Sequence, residues 1–232
     1  MSGPSDGPAD GPADDEPIDA DVAPVQPPSE RLAERLEAGP SAPDPTLVRA
    51  LRELAAVDKA VYGAVAATPT PTLDGPLRSF TSAADHSKLW IGTAAVLFAV
   101  GGRRGRRAAF TGVAAIACTS AIVNLPMKLA GHRRRPDADA AGVPMARRVE
   151  MPTSASFPSG HSASAAAFAS SVSQVVPALG LPLGVAAAAV GYSRVHSGVH
   201  YPGDVVAGVV VGSSVGGLVA WTGRRLAARR EG

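Results

Sequence analysis

Residues 108–127 read AAFTGVAAIACTSAIVNLPM, and these 20 residues contain no Asp, Glu, Lys or Arg. A bilayer span needs about 20 consecutive apolar residues, so this segment is long enough to cross a membrane as one helix. Three further stretches also lack charged side chains, at 89–102, 162–193 and 205–223. Together the four stretches predict that most of the chain after residue 75 is embedded in a membrane.

The longest of these stretches contains a turn signal. Residues 177–182 read PALGLP, a run of Pro and Gly that is typical of a helix end and a turn. It divides the stretch into predicted helices near 161–178 and 182–196. The stretch at 89–102 is short for a membrane span, and a start of its helix at Ala83 or Ala84 would lengthen it.

The predicted fold is therefore all-α, an integral-membrane bundle of about five transmembrane helices. The apolar segments are rich in Ala, Gly, Ser and Val, and small residues let helices approach closely in lipid. A soluble all-helical domain with a very apolar core is the alternative.

The near-neutral composition is a cancellation of two unlike parts. The 232 residues have a net charge of +2. Residues 1–60 hold 13 acidic and 5 basic side chains, whereas the remaining residues hold 7 acidic and 17 basic ones. Only 4% of residues are aromatic, which disfavours a nucleic-acid-binding platform. The single cysteine, Cys118, excludes an intramolecular disulfide framework.

The part before the bundle divides into two segments. Residues 1–43 are acidic and rich in Pro, Gly and Ala, a composition that predicts a disordered tail. Residues 44–74 are predicted to form an amphipathic helix, ending near Thr68, and a linker. Its apolar stripe would lie on a membrane surface or pack on the bundle. The stripe consists of Leu47, Ala50, Leu51, Leu54, Val57, Ala60, Val61 and Val65.

The arginine distribution predicts an orientation. One cluster lies within 102–107, and a second lies in the predicted basic tail at 224–232. Four crossings separate them, so both would face the cytoplasm in a multi-pass protein of the cell membrane. The segments 128–160 and 194–204 would then face outside, although 128–148 is itself basic. Positive charge on that side requires a separate reason.

Three polar motifs flank the predicted spans on this outer side, and they supply that reason. They are KLAGHRRRP at 128–136, PSGH at 158–161 and SRVHSGVHYPGD at 193–204. Fixed cations and N–H donors stabilise the negative charge of a transferring phosphoryl group, and arginine binds two of its oxygens at once. A histidine can attack phosphorus only while its attacking nitrogen is unprotonated, and a nearby carboxylate fixes that tautomer. The motifs therefore predict a phosphate-binding site at the outer face of the membrane.

Individually these residues have simpler interpretations. The arginine run could be the flank of a span, and Ser159 or Asp204 could serve only as a helix N-cap. All of these interpretations would have to hold together at one membrane face, which favours the phosphate site.

The three motifs resemble the signature of the type 2 phosphatidic acid phosphatase superfamily, which also includes bacterial acid phosphatases and vanadium haloperoxidases. That pattern is Lys, six residues, Arg-Pro; then Pro-Ser-Gly-His; then Ser-Arg, five residues, His, three residues, Asp. The chain matches every specified position, and the resemblance covers about residues 75–222. It implies a membrane-embedded phosphatase domain at 75–223.

The resemblance also implies a role for each matched residue. His200 would be the nucleophile that forms a phosphohistidine, Asp204 its orienting carboxylate, and His161 the general acid. No metal or other cofactor is implied. His132 and His196 match no specified position and are expected to be bystanders. The residues expected to hold the phosphate are Lys128, Arg135, Ser159, Gly160 and Arg194.

The expected function is hydrolysis of a lipid phosphomonoester or pyrophosphate, with the membrane and a lipid phosphate as the partners. Candidate substrates are undecaprenyl or decaprenyl pyrophosphate, phosphatidate, phosphatidylglycerol phosphate and a prenyl-phosphoryl sugar phosphate. The alternatives are a vanadium haloperoxidase-like enzyme and a catalytically silent protein that binds lipid phosphates.

Overall fold

The computed structural model describes residues 46–128 and 133–231, and within these ranges it contains seven α-helices and no β-strand. The all-α prediction is therefore confirmed for this part of the chain. The predicted disordered tail at 1–43 lies outside the described residues. The helices are α1 (Thr46–Ala67), α2 (Pro71–Ala83), α3 (Lys88–Val100), α4 (Gly102–Ile122, continued as a π-helix over Val123–Met127), α5 (Gly160–Val175), α6 (Gly180–His196) and α7 (Pro202–Glu231).

Within the described residues, three helical segments are long and apolar enough to cross a membrane, namely Gly102–Met127, Pro177–His196 and Pro202–Arg229. The remaining two predicted spans correspond to α3 and α5, which have 13 and 16 residues. At about 1.5 Å per residue, both are shorter than the hydrocarbon core of about 30 Å. The chain is an integral-membrane helical bundle, and the count of five spans stays a prediction.

The start of α3 differs from the expectation that the first span extends back to Ala83 or Ala84. Asp85–Ser87 form a short 3₁₀ turn between α2 and α3. His86 and Ser87 have φ angles of 54° and 60°, in the left-handed region that interrupts a right-handed helix. The apolar helix therefore begins at Lys88, and Asp85 is left in the turn.

Helix α5 lies at the centre of the bundle and is buried along most of its length. Its Phe168 packs against Trp90 of α3, with ring centroids 5.4 Å apart. A Cβ atom at Gly112 of α4 would lie 2.5 Å from the Phe168 ring, so glycine is required where α4 crosses α5. The small side chains predicted to permit close packing are therefore used at this crossing.

Helices α5 and α7 run parallel and meet along three glycines spaced four residues apart in α7. A Cβ atom at Gly208, Gly212 or Gly216 would lie within 2.5 Å of a backbone or side-chain atom of the opposite segment. For Gly212 the nearest atom is the Ala163 carbonyl oxygen, at 2.1 Å. This backbone contact fixes the start of α7 beside the start of α5.

The arginine groups near 102–107 and 224 lie together at the far end of α5. Arg104 Nε donates to the Val175 carbonyl at 2.7 Å, and Arg224 Nη1 donates to Gln174 Oε1 at 2.7 Å. Because α5 begins at Gly160, its 16 residues place this arginine end about 24 Å from the PSGH motif. The bundle therefore has two basic ends.

The predicted amphipathic helix is present as α1, but most of its apolar stripe stays exposed, and the stripe residue Val65 packs on the buried cluster of Tyr62, Ala66 and Val195. Tyr62 and Ala66 are buried, on the face that includes Asp58. The stripe residues Leu51 and Leu54 are 56% and 65% exposed. The protein contacts of α1 are therefore made by the face of Tyr62 and Ala66 together with Val65, whereas the stripe residues Leu51 and Leu54 stay exposed.

Candidate active site

The His200 imidazole is held in the turn between α6 and α7. Gly198 has φ of 78°, which lets the chain turn sharply after α6, and Pro202 begins α7. This turn places His200 Nδ1 3.4 Å from Asp204 Oδ2. The same carboxylate oxygen accepts the Tyr201 backbone N–H at 3.0 Å. Both side chains are buried, so the pair is formed inside the protein rather than in water.

Two side chains at positions that the family pattern does not specify also hold the Asp204 carboxylate. The Ser156 hydroxyl donates to Oδ2, and its oxygen lies 3.5 Å from His200 Nδ1. Arg133 Nη1 donates to Oδ1 at 2.8 Å. The carboxylate is therefore fixed on both oxygens, and its position relative to the imidazole is fully determined.

Arg135 covers the other side of the His200 ring. Its Nη1 lies 3.2 Å from His200 Nε2 and donates to the Val199 carbonyl at 2.9 Å. Its Nε donates to the Ser154 carbonyl at 2.9 Å. The guanidinium is thus anchored by backbone acceptors beside the nitrogen that faces away from Asp204.

Lys128 approaches the same region from the end of α4. Its Nζ lies 3.2 Å from Ser154 Oγ, which also accepts from Arg135 Nη2 at 3.3 Å. Burial, and then the positive charge of Arg135, lower the pKa of Lys128. Burial also lowers the pKa of Arg135. These shifts indicate positive charge that the protein leaves incompletely compensated, as an anion-binding site requires.

A second part of the site is built around Asp85. Its Oδ1 lies 2.8 Å from His161 Nε2 and 3.7 Å from Arg194 Nη1. Arg194 is 2% exposed and donates from Nη1 to Thr81 Oγ1 at 2.9 Å. Its buried Nε has no hydrogen-bond partner among the described residues. An unsatisfied guanidinium N–H in a buried position is a free donor for a ligand oxygen.

Ser159 caps α5 in this structure. Its Oγ accepts from Ser162 N at 3.4 Å and from Ser162 Oγ at 3.0 Å. The Ser159 backbone N–H donates to the Asp204 carbonyl at 2.9 Å, which joins the starts of α5 and α7. The simpler N-cap interpretation of Ser159 therefore describes its present contacts. The backbone N–H groups of Gly160 and His161, in the first turn of α5, have no partner within the helix and are available to an anion.

A cavity of about 690 Å³ opens beside these residues. Four of the eight predicted site residues line it, namely Lys128, Gly160, His161 and Arg194. Arg135, Ser159, His200 and Asp204 are not part of its wall. In this structure Arg135 Nη1 lies next to His200 Nε2, and the cavity wall does not include either residue.

Burial lowers the pKa of His200 to about 4. The Asp204 hydrogen bond opposes this shift, whereas the positive charges of Arg135 and Arg194 add to it. The imidazole is therefore neutral at physiological pH, which is the form that can act as a nucleophile.

His132 and His196 are the two histidines that match no specified position of the motifs. His132 lies outside the described residues. His196 is buried, and its Nε2 lies 2.9 Å from Thr70 Oγ1 and 3.3 Å from Asp74 Oδ1. Arg147, which is 1% exposed, donates to the same Asp74 oxygen at 2.8 Å. His196 therefore belongs to a buried polar network that ties α2 to α6.

Several residues of this region were not among the predicted site residues. Arg133 lies in the arginine run of the first motif, and Asp85 borders an apolar stretch, so both carry a signal in the sequence. Asp58 and Ser156 carry none, because the partners of their side chains are at least 44 residues away in the chain. Among the described residues, no group of three or more His, Cys, Asp or Glu side chains is placed to hold a metal ion.

Comparison with known proteins gives the family. The profile of the PAP2 superfamily matches residues 108–227. Decaprenylphosphoryl-5-phosphoribose phosphatase from Mycobacterium tuberculosis is 35% identical over 172 residues, which cover 74% of this chain and 91% of the relative.

Two solved structures share the fold. The transmembrane PAP2-type phosphatidylglycerolphosphate phosphatase from Bacillus subtilis has a TM-score of 0.54 and 23% identity, covering 76% of this chain and 87% of its own. Aquifex aeolicus LpxE has a TM-score of 0.56 and 22% identity, covering 70% and 94%. The motifs, the helical membrane fold and these matches show that the chain belongs to the PAP2 superfamily and is a membrane-embedded phosphoric ester hydrolase.

Proposed function

We propose that the protein removes the phosphate from a lipid phosphomonoester through a phosphohistidine on His200. The observation that carries this proposal is the placement of His200, with Asp204 against Nδ1 and Arg135 against Nε2. One ring nitrogen is thus oriented by a carboxylate, and the other meets a cation that can hold phosphate oxygens.

In the first step, His200 Nε2 attacks phosphorus while Asp204 holds the proton on Nδ1. The new N–P bond forms as the bond from phosphorus to the lipid oxygen breaks. His161 donates a proton to that departing oxygen, so the lipid leaves as a neutral alcohol. Asp204 stabilises the positive charge that develops on the imidazole.

In the second step, water attacks the phosphohistidine. His161, now neutral, accepts the proton of the attacking water, and the N–P bond breaks to release inorganic phosphate and neutral His200. Asp85 lies 2.8 Å from His161 Nε2 and can hold the histidine while it exchanges this proton.

The phosphate oxygens are assigned to the cations and N–H groups around the cavity. Arg194 offers its unsatisfied Nε, Lys128 offers its ammonium, and Gly160 offers a backbone N–H at the start of α5. Arg135 must exchange its contact with His200 Nε2 for a contact with phosphate before attack. Ser159 supports this surface as the N-cap of α5.

The proposed substrate is a polyprenyl-phosphoryl sugar phosphate. The 35% identical relative is named for a substrate of this class. A cavity of about 690 Å³ has the size of a small-molecule site and exceeds what a single phosphate needs. Its polar wall includes Arg78, Ser82 and Thr153 in addition to the predicted phosphate ligands, which suits a hydroxylated and charged headgroup.

The site is proposed to face outward from the cell membrane, with the arginine end in the cytoplasm. In a Cys118→Ser background, Glu150→Cys should react with a membrane-impermeant maleimide on intact cells, whereas Ala227→Cys should react only after lysis. The reverse pattern would overturn the orientation and leave the chemistry unaffected.

The substrate class is tested by phosphate release from detergent-purified protein. The panel comprises a polyprenyl-phosphoryl sugar phosphate, phosphatidate, phosphatidylglycerol phosphate and a polyprenyl pyrophosphate. We expect the highest kcat/KM for the sugar phosphate and no release from any substrate by His200→Ala. His132→Ala is the matched control and should retain activity. Full activity of His200→Ala would refute the mechanism, and a preference for another lipid would refute the substrate.

A further inference from the structure

A row of alternating charges runs from α1 to the nucleophile. Asp58 Oδ2 accepts from Arg133 Nη2 at 2.5 Å, and Arg133 Nη1 donates to Asp204 Oδ1 at 2.8 Å. Asp204 Oδ2 then faces His200 Nδ1 at 3.4 Å. One guanidinium therefore bridges two carboxylates, of which only one touches the nucleophile.

Further contacts fix this row in place. Asp58 Oδ1 accepts the Gly203 backbone N–H at 2.6 Å, which satisfies a donor in the first turn of α7. The Arg133 guanidinium also stacks over the Tyr201 ring, 4.2 Å from its centroid. The Asp58 side chain is 11% exposed, and the Arg133 side chain is 29% exposed. These charges are thus partly shielded from water. Their interactions are therefore stronger than those of charges at an open surface.

We propose that Asp58 and Arg133 are positioning residues that hold the Asp204 carboxylate and set how strongly it supports positive charge on His200. This inference rests on the proposed function. Arg133 draws negative charge away from the imidazole, and Asp58 in turn limits how much Arg133 draws. Helix α1, which lies outside the family's three motifs, is thereby part of the catalytic unit.

The proposal assigns opposite effects to two neighbouring residues. Without Arg133, the full charge of Asp204 acts on His200 and favours its protonated form. Without Asp58, the full charge of Arg133 acts on Asp204 and disfavours that form. Other charged or titratable groups that face His200 are unchanged in both cases. They are Arg135 from the segment after α4, His161 from α5 and Arg194 from α6.

The test is the pH dependence of kcat/KM for the full-length protein in detergent. We expect Arg133→Gln to raise the midpoint of the acidic limb by about 1 pH unit, since an added or lost charge near a titrating group has effects of this order. Asp58→Asn should lower the midpoint. The double variant should return towards the wild-type value. The substrate ionises identically in all cases, so differences between variants report the enzyme.

Arg134→Gln is the matched control, because it removes the same charge from the adjacent residue, which is exposed. Its midpoint should equal that of the wild type. Arg133→Lys keeps the charge but cannot bridge two carboxylates, so it should retain the midpoint and lose kcat. That variant keeps the test decisive where Arg133→Gln does not fold.

Shifts of Arg133→Gln and Asp58→Asn in the same direction, or unchanged midpoints in both, would overturn the inference. A merely structural role would lower activity in both variants without moving their midpoints apart. Failure of the wild type to release phosphate from any lipid would instead refute the proposed function.

Discussion

The two basic ends of the bundle have similar side chains but different surroundings. At the arginine end, Arg104 and Arg224 are exposed and donate to Val175 and Gln174. At the site end, Arg194 is 2% exposed, and its Nε has no partner among the described residues. Both ends carry arginine side chains, so the sequence alone does not distinguish them. The burial of Arg194 does.

This difference indicates what each end can do. An exposed arginine is well solvated, and its contacts contribute little to stability or binding. A buried guanidinium with an unsatisfied donor favours an anion, because binding one replaces the water that burial removed. We therefore expect substitutions at the buried end to affect activity far more than substitutions at the exposed end.

The first prediction removes one cation from each end. Arg194→Gln should lower kcat/KM by about 100- to 1,000-fold, the range found when a buried donor to a developing anion is lost. Arg104→Gln removes the same charge from the arginine end and should leave kcat/KM within about twofold of the wild type. Equal losses in the two variants would contradict the functional division of the ends.

Part of this difference between the two ends of the bundle can be predicted from the sequence. The charge-free stretches give the helices, and helix parity places Lys128, His161 and His200 at one end. The row from Asp58 to Asp204 could not be found in this way, because its members come from segments whose packing has no local signal. The break at His86 was also missed, since no Gly or Pro marks it.

The second prediction concerns the contact that holds the site end together. Gly212→Ala places a Cβ atom against the Ala163 carbonyl, so α5 and α7 must separate. We expect a loss of about 1–3 kcal/mol in stability and reduced kcat, measured by thermal unfolding and phosphate release. Gly217→Ala is the control, because its Cβ atom would meet only Gln174 Nε2, at 3.7 Å. Similar stability in both variants would show that the glycine contact is dispensable.

The third prediction is the acidic limit of activity. The buried His200 has a pKa of about 4, so it is neutral above that pH and loses its nucleophilic form below it. After correction for the separately measured ionisation of the substrate, the acidic limb of kcat/KM should have its midpoint near pH 4 and fall about tenfold per unit below it. A midpoint near 6.5, the ordinary value for histidine, would mean that the imidazole is not desolvated.

The smallest expected effect is that of metal removal. The proposed mechanism assigns every charge-stabilising role to Lys128, Arg135, Arg194 and the start of α5. Activity in excess EDTA should therefore equal activity in its absence, measured as phosphate release. Complete loss that added divalent cation restores would contradict this assignment.

Trapping the covalent intermediate tests whether His200 carries the phosphoryl group during the reaction. Protein quenched in alkali during turnover of a ³²P-labelled lipid phosphate should carry label that is stable to base and labile to acid, as a phosphohistidine is. Peptide mapping should place that label on His200, and His200→Ala should carry none. Label retained in His200→Ala, or mapped to another residue, would contradict the account.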